Sequence, residues 1–281
     1  MLGTGYGCVI CTEESGSCGW LQGENPETGT KPGKCKDLAG LRGCGSGWNS
    51  DARGVPDAIR LFIESSTARA SLALLRGSEI LFEDAFTGDR SHNALLFAPL
   101  SRALECLPAG EKLAAVIIGT GPGSYSGTRV GIAAGQGVAM VHGCPAIGLS
   151  SLLAVPPAFG GNALAVGDAR RGAVWRVATE ALRRGGEPEL CGVEELATEI
   201  RSILDSGGVA FCLEPVGRIG LPEDLAAAVR LEHPDALHLA KAWQGLVEEE
   251  QKRLESLPPQ PAYLRPPHVT EAKPGHPLLR K

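Results

Sequence analysis

Long apolar runs are missing from this chain. The longest, such as 138–141 and 114–118, fall far short of the ~20 residues a helix needs to cross a bilayer, so no membrane span is expected. An excess of positive charge is missing too. Lys and Arg number 27 against 32 Asp and Glu, a formal net charge of −5, which leaves no general attraction for phosphate backbones or anionic lipid. Any contact with nucleic acid must then be local or borrowed from a partner. The N-terminus has neither the basic stretch nor the apolar stretch that directs secretion, and a cytoplasmic address is the expectation. The six histidines stand at 92, 142, 233, 238, 268 and 276. No two are three or four apart, so no pair of imidazoles can share one helix face as metal ligands.

What is present is a globular composition. Hydrophobic residues make up 43% and charged residues 21% of 281, close to folded domains in general, and the length suits one large domain or two modest ones. Residues 1–56 differ from the rest. Cys8, Cys11, Cys18, Cys35 and Cys44 lie among glycines without a periodic apolar pattern. Cys8 and Cys11 form one C-x-x-C, but the second closely spaced pair of a tetrahedral zinc site is absent. A low-order extension, or a gene start set too early, is expected there. Cys106, Cys144, Cys191 and Cys212 are scattered and read as small buried apolar groups.

From Arg60 the pattern becomes regular. Residues 61–63, 70–75 and 80–86 read as three successive strands. Ser91 can cap a helix to Leu107, with Leu95, Leu96, Leu100, Ala103 and Leu104 at three-to-four spacing. Residues 113–118 suit a strand buried on both faces, and 128–141 a second helix. After turn signals near Pro156 and Gly160, a second mixed unit follows: a strand at 163–166, a hairpin at 172–179, helices at 194–204 and 222–229, and a strand at 209–213. Residues 235–254 read as one long helix, and prolines after Leu257 impose an extended tail. The expected organisation is an extension (1–56), an N-terminal lobe (57–157), a second α/β lobe (158–233), a C-terminal helix packed back on both (234–257) and a proline-rich tail (258–281). No internal repeat is visible.

The most informative stretch is Gly119-Thr120-Gly121-Pro122-Gly123-Ser124-Tyr125-Ser126-Gly127-Thr128-Arg129, between a buried strand and a helix. Glycines there permit close approach, and free N–H groups at a helix start favour an anion; a tight strand-to-helix turn explains the same residues. No lysine precedes Ser126 or Thr128, so this is not a Walker loop, and Ser124 breaks G-x-G-x-x-G. Neither Ser124 nor Ser126 has the flanking glycines of a nucleophile elbow.

With its surroundings, the stretch resembles the signature loop of the TsaB family, the non-catalytic member of the bacterial machinery that makes threonylcarbamoyladenosine on transfer RNA. Leu61-Phe62-Ile63-Glu64-Ser65-Ser66-Thr67 resembles the family's opening strand and turn. Gly121 through Gly131, Gln136-Gly137, 148–152, Asp168-Ala169-Arg170-Arg171-Gly172 and Ala262-Tyr263-Leu264-Arg265 recur in the expected order. Glu64 stands where the family usually has aspartate, which puts a direct cation-anchoring role there in doubt. His92 follows Ser91 rather than preceding it, and Tyr125 and Ser126 replace phenylalanine and threonine.

The resemblance implies a two-lobed α/β fold of the actin-like and Hsp70-like ATPase superfamily. It also implies a scaffold with no catalytic residues and no metal ligands of its own, which binds and activates a TsaD transferase. Gly121, Gly123, Ser124, Ser126, Gly127 and Arg129 would form the loop at a nucleotide-linked junction. Leu95, Leu96, Gly131, Ala134, Gly135 and Val138 would form the partner face, and a bulky charge at Gly135 is expected to abolish docking. No cofactor is expected on the chain alone, with ATP or ADP a candidate at the complex interface. A TsaE-like ATPase would join the assembly, two copies would pair in isolation, and transfer RNA would be reached only through the complex. The competing expectations are an autonomous actin-like ATPase or small-molecule kinase, and a metallopeptidase-like hydrolase.

Overall fold

Strand after strand in this chain alternates between two apolar faces, and that alternation dictates a layered fold. The computed structural model describes residues 58–87, 92–170, 172–180, 183–184 and 187–264. The cysteine-rich extension, the Ser91 cap, Arg171, and Arg265 with the rest of the tail lie outside them. Strand β1 (Ile59–Glu64) sends Ile59, Leu61 and Ile63 to one face and Phe62 to the other. Strand β2 (Arg69–Arg76) does the same with Leu72 and Leu74 against Ala73 and Leu75, and β4 (Leu113–Gly119) with Val116 and Ile118 against Ala115 and Ile117. Both faces are therefore covered.

With β3 (Glu79–Thr87) and β5 (Ala146–Leu149) these strands form a five-stranded sheet ordered β3-β2-β1-β4-β5. The first three are antiparallel, whereas β1, β4 and β5 run parallel. Helices α1 (His92–Glu105) and α2 (Tyr125–His142) cover the outer face, on the core of Leu61, Ile63, Leu72, Leu96, Ile118 and Ile132.

The second sheet repeats this plan. It contains β6 (Ala163–Asp168), β7 (Val174–Glu180), β8 (Arg183–Arg184), β9 (Glu189–Cys191), β10 (Val209–Cys212) and β11 (Arg230–Leu231), ordered β11-β10-β6-β7-β8 with β9 also on β7. The β6–β7 pair is antiparallel and β6, β10 and β11 are parallel. Helices α3 (Val193–Asp205) and α4 (Glu223–Ala228) pack outside, on Leu164, Val166, Ala210 and Cys212. The order of strands and helices is thus duplicated although the sequence shows no repeat, because a topology constrains only which positions are apolar.

Between the sheets lies a shared core. Phe62, Ile117 and Ile147 meet Ala165, Trp175 and Phe211 across Leu239, Ala240 and Trp243 of α5 (Ala236–Gly245). The 235–254 segment, expected as one helix, is two. Leu246 and Val247 take extended backbone, with ψ of 144° and 149°, and α6 (Glu248–Glu255) begins afresh. Three glutamates in its first turn favour that restart, since they complement the positive helix end. The hairpin expected within 172–179 is instead a single strand, β7 (Val174–Glu180), that makes its hairpin with β6. Strands β5, β8, β9 and β11 are too short to show alternation, and none was expected. Of the four scattered cysteines Cys212 alone is buried; Cys144 and Cys191 are half-buried and Cys106 is exposed.

Phe62 is 1% exposed at the centre of the shared core. Phe62→Ala is expected to cost about 3 to 5 kcal/mol, read from the chemical-denaturation midpoint at unchanged slope.

Candidate functional site

Helix α2 is seated on the sheet by glycines four residues apart. A methyl group at Gly123 would overlap the Ser66 carbonyl oxygen, one at Gly127 the Ser65 carbonyl oxygen, and one at Gly131 the Ser65 hydroxyl. At Gly135 it would come within 2.5 Å of Ile118 Cδ1. No side chain larger than hydrogen fits at these four places without moving the helix off the turn between β1 and β2. Hydrogen bonds fix the same contact. Ser124 N donates to Ser66 O at 2.6 Å and Ser65 Oγ to Gly127 O at 3.0 Å. Ser124 caps the helix by accepting from Gly127 N at 3.2 Å, and Gly143 ends it with φ of 64°.

The loop amides are spent on the same purpose. Gly121 N donates to Ser151 Oγ at 3.0 Å, and Thr128 N to Ser124 O at 3.1 Å. This is a tight strand-to-helix turn whose donors at 121, 124, 127 and 128 are satisfied internally.

On its outer side α2 meets α1 along an apolar groove of about 550 Å3. Phe97, Leu100 and Leu104 of α1 face Val130, Ala133, Ala134, Gly137, Val138 and Val141 of α2. Phe97 is 56% exposed, and Met140 and Val141 at the helix end are each 83% exposed. Large apolar side chains this open, gathered beside small ones, are a surface waiting for cover.

A second feature is a cleft of about 210 Å3 at the ends of β4, β6 and β10. Arg129 borders it, its guanidinium 3.3 Å from the centre of the Tyr125 ring and 5.2 Å from that of Tyr263. It donates to Tyr125 O and to the Tyr263 hydroxyl, both at 2.8 Å. The chain end 258–264 thus returns to the first sheet, where Ala262 N also donates to Thr120 O at 2.9 Å. From the second sheet Asp168 and Glu214 bind Arg170, which holds a left-handed φ of 63°.

The duplicated plan places Glu64 and Asp168 at equivalent points, each the last residue of its sheet's first strand. Each caps its own turn: Glu64 Oε1 accepts from Ser66 N and Asp168 Oδ1 from Arg170 N, both at 2.7 Å. Asp168 lies beside Arg170 at the cleft, 3.1 Å from its guanidinium. Glu64 is wholly buried, and Oε2 faces Gly119 and the Ser151 hydroxyl without a hydrogen bond of full geometry. Burial pushes its carboxyl above the ordinary range; contacts with Ser66 and Ser151 offset part of this, and the nearby Asp235 adds to the rise.

Residues 87–210 match the family model of TsaD, tRNA N6-adenosine threonylcarbamoyltransferase. Over 119 residues the chain is 29% identical to the tRNA threonylcarbamoyladenosine biosynthesis protein TsaB of Bacillus subtilis (strain 168), a stretch covering 41% of this chain and 52% of that protein. YeaZ from Pseudomonas aeruginosa superposes with a TM-score of 0.56 at 21% identity, over 74% of this chain and all of that one. A second Pseudomonas aeruginosa structure, described as an uncharacterized protein with similarity to peptidase YeaZ, gives 0.55 at 23% with the same coverage. The chain is thus similar to TsaB over part of its length and shares its fold with YeaZ. The matched stretch spans about half the length of the Bacillus TsaB.

Against this fold the residues expected from the TsaB resemblance divide. Gly123, Ser124 and Arg129 border the cleft, whereas Gly121 and Gly127 face protein and Ser126 is exposed away from the cleft lining. On the expected partner face, Leu95 is exposed and Ala134 and Val138 line the groove. Leu96, Gly131 and Gly135 do not belong to that face. Leu96 is core at 1% exposure, and the two glycines are pressed against Ser65 and Ile118. The small-residue stripe is an internal seat, and the open face lies a third of a turn away. Phe97, Met140 and Val141 were missed, although Met140-Val141 at the helix end was a legible signal, being bulky and apolar away from the inward stripe. The Tyr125–Arg129–Tyr263 stack joins residues 134 positions apart and left no local trace. Among the described residues no three His, Cys, Asp or Glu side chains gather as a metal site requires.

The two glycines separate folding from surface. Gly135→Glu is expected to lower the melting temperature steeply, with loss of near-ultraviolet dichroism. A Cβ at Gly137 meets nothing within 4 Å, so Gly137→Glu should melt within about 2 °C of wild type.

Proposed function

We propose that this chain serves the formation of threonylcarbamoyladenosine on transfer RNA as a non-catalytic scaffold, and that it docks the α1–α2 groove on a TsaD-like transferase and activates it. The similarity to the Bacillus threonylcarbamoyladenosine biosynthesis protein and the TsaD family match support the pathway. The observation that carries the scaffold reading is the groove: an exposed apolar surface, rigidly mounted by the glycine seat, in which Phe97 has the size and position of a hot-spot anchor.

The commitment of the two strand-end carboxylates supports the same reading. An autonomous phosphoryl-transfer enzyme needs carboxylate oxygens open to the cleft for a cation that neutralises phosphate charge. Glu64 turns away from the cleft into the protein, and Asp168 is engaged by Arg170. The transferase would therefore supply the reacting groups. A TsaE-like ATPase would complete the assembly, with ATP or ADP at the interface between subunits. Transfer RNA would be reached through that complex, in the cytoplasm. In isolation the same face is expected to pair two copies of this chain. No helix among the described residues is long and apolar enough to cross a membrane, and the proposal asks for none.

Docking is checked by titrating the purified chain with a TsaD-like transferase in a calorimeter. Wild type should bind, Phe97→Ala should weaken binding at least about 30-fold, and Gly137→Glu should abolish it while the fold is retained. ATP hydrolysis by the chain alone would favour an autonomous ATPase and count against the scaffold.

A further inference from the structure

Glu64 is a buried group that docking does not use. Its surroundings come from four elements. Ser66 N, in the turn after β1, donates to Oε1 at 2.7 Å. Gly119 at the end of β4 lies against Oε2, so closely that a methyl there would overlap the carboxyl. Ser151, in the single 3-10 turn 151–153 after β5, brings its hydroxyl to the same place. Asp235, the cap of α5, is the charged group that acts on Glu64 through space.

The charge balance at this junction has one sign. Burial pushes Asp235 up, but hydrogen bonds from the His238 ring and backbone outweigh it and hold Asp235 below the ordinary range, with Arg69 adding to the effect. Asp235 is thus ionised, and its attendant groups, the His238 ring and Arg69, are its own. Among the described residues no cation acts on Glu64, and one anion, Asp235, does. An ionised Glu64 would be a buried charge without a counter-ion, which costs several kcal/mol. A neutral one needs an acceptor for its proton. The Ser151 hydroxyl has two lone pairs, of which Gly121 N uses one at 3.0 Å.

We propose that Glu64 is a neutral carboxylic acid whose Oε2–H is donated to the Ser151 hydroxyl, a proton-held joint that fastens the end of β1 to the signature loop and to the turn leading toward the second sheet. The joint lies directly under the seat of α2. Glu64 holds Ser66 N, and the Ser66 carbonyl in turn holds Ser124 N and closes on Gly123. Losing the proton would place an unpaired negative charge beneath that seat. Because the folded chain binds this proton more tightly than the unfolded chain, the stability it confers is complete below the ordinary carboxylate pKa. That stability is lost as pH rises through the raised value.

The test compares wild type with Glu64→Gln, whose amide can donate to Ser151 without a proton to lose. Melting temperatures should coincide in acid and separate as pH rises, the variant exceeding wild type by about 2 to 4 °C near pH 8. All other titrating groups are common to both chains and cancel in the difference. Infrared spectra of the wild-type chain in heavy water supply a second reading that does not depend on the variant folding. A protonated-carboxyl stretch should persist at neutral pH, and Ser151→Ala should shift it. A melting difference that does not change with pH, or an infrared spectrum holding only ionised carboxylates at neutral pH, would overturn the joint.

Discussion

The near-contact of two backbones carries this structure. The turn at Ser65 and Ser66 presents carbonyl oxygens and a hydroxyl directly to α2, and hydrogen alone fits on the helix side at positions 123, 127 and 131. Everything functional depends on that approach. It sets the depth of the helix on the sheet, leaves Gly135 against Ile118, and turns Val130, Ala133, Gly137 and Val141 outward beside Phe97. The loop glycines therefore serve a packing constraint, and the exposed groove lies a third of a turn away on the same helix.

The duplicated topology explains how one chain spends two equivalent acids differently. Glu64 and Asp168 close the first strands of their sheets and cap their turns at the same distance. Asp168 faces the cleft and finds Arg170. Glu64 lies under α2, beside an ionised Asp235 that is already paired with His238. Low dielectric and like charge both oppose its ionisation. Neither oxygen of Glu64 opens onto the cleft.

Much of the fold was legible because strands buried on both faces leave long apolar runs and helices leave three-to-four spacing. Residues 59–64, 113–119 and 125–142 follow those patterns closely. The break at Leu246-Val247 was not legible, since apolar residues and a glycine at 245 interrupt no periodicity; the three glutamates that follow were the clue. The signature loop was legible as a turn, but the direction of its glycines was not. Spacing of three and four marks a helix face without saying whether strand or solvent lies beyond it. Leu96, Gly131 and Gly135 look like an interface stripe in one dimension and are core in three. Arg129 and Tyr263 meet only because the chain end returns to the first sheet, a tertiary event with no local signature.

The docking face is most directly tested by hydrogen exchange of this chain with and without a TsaD-like transferase. Slowed exchange concentrated in 95–107 and 130–142, with the second sheet unchanged, is the predicted footprint. Protection confined to the cleft residues 166–170 and 261–264, with α1 and α2 exchanging as in the free chain, would contradict the account.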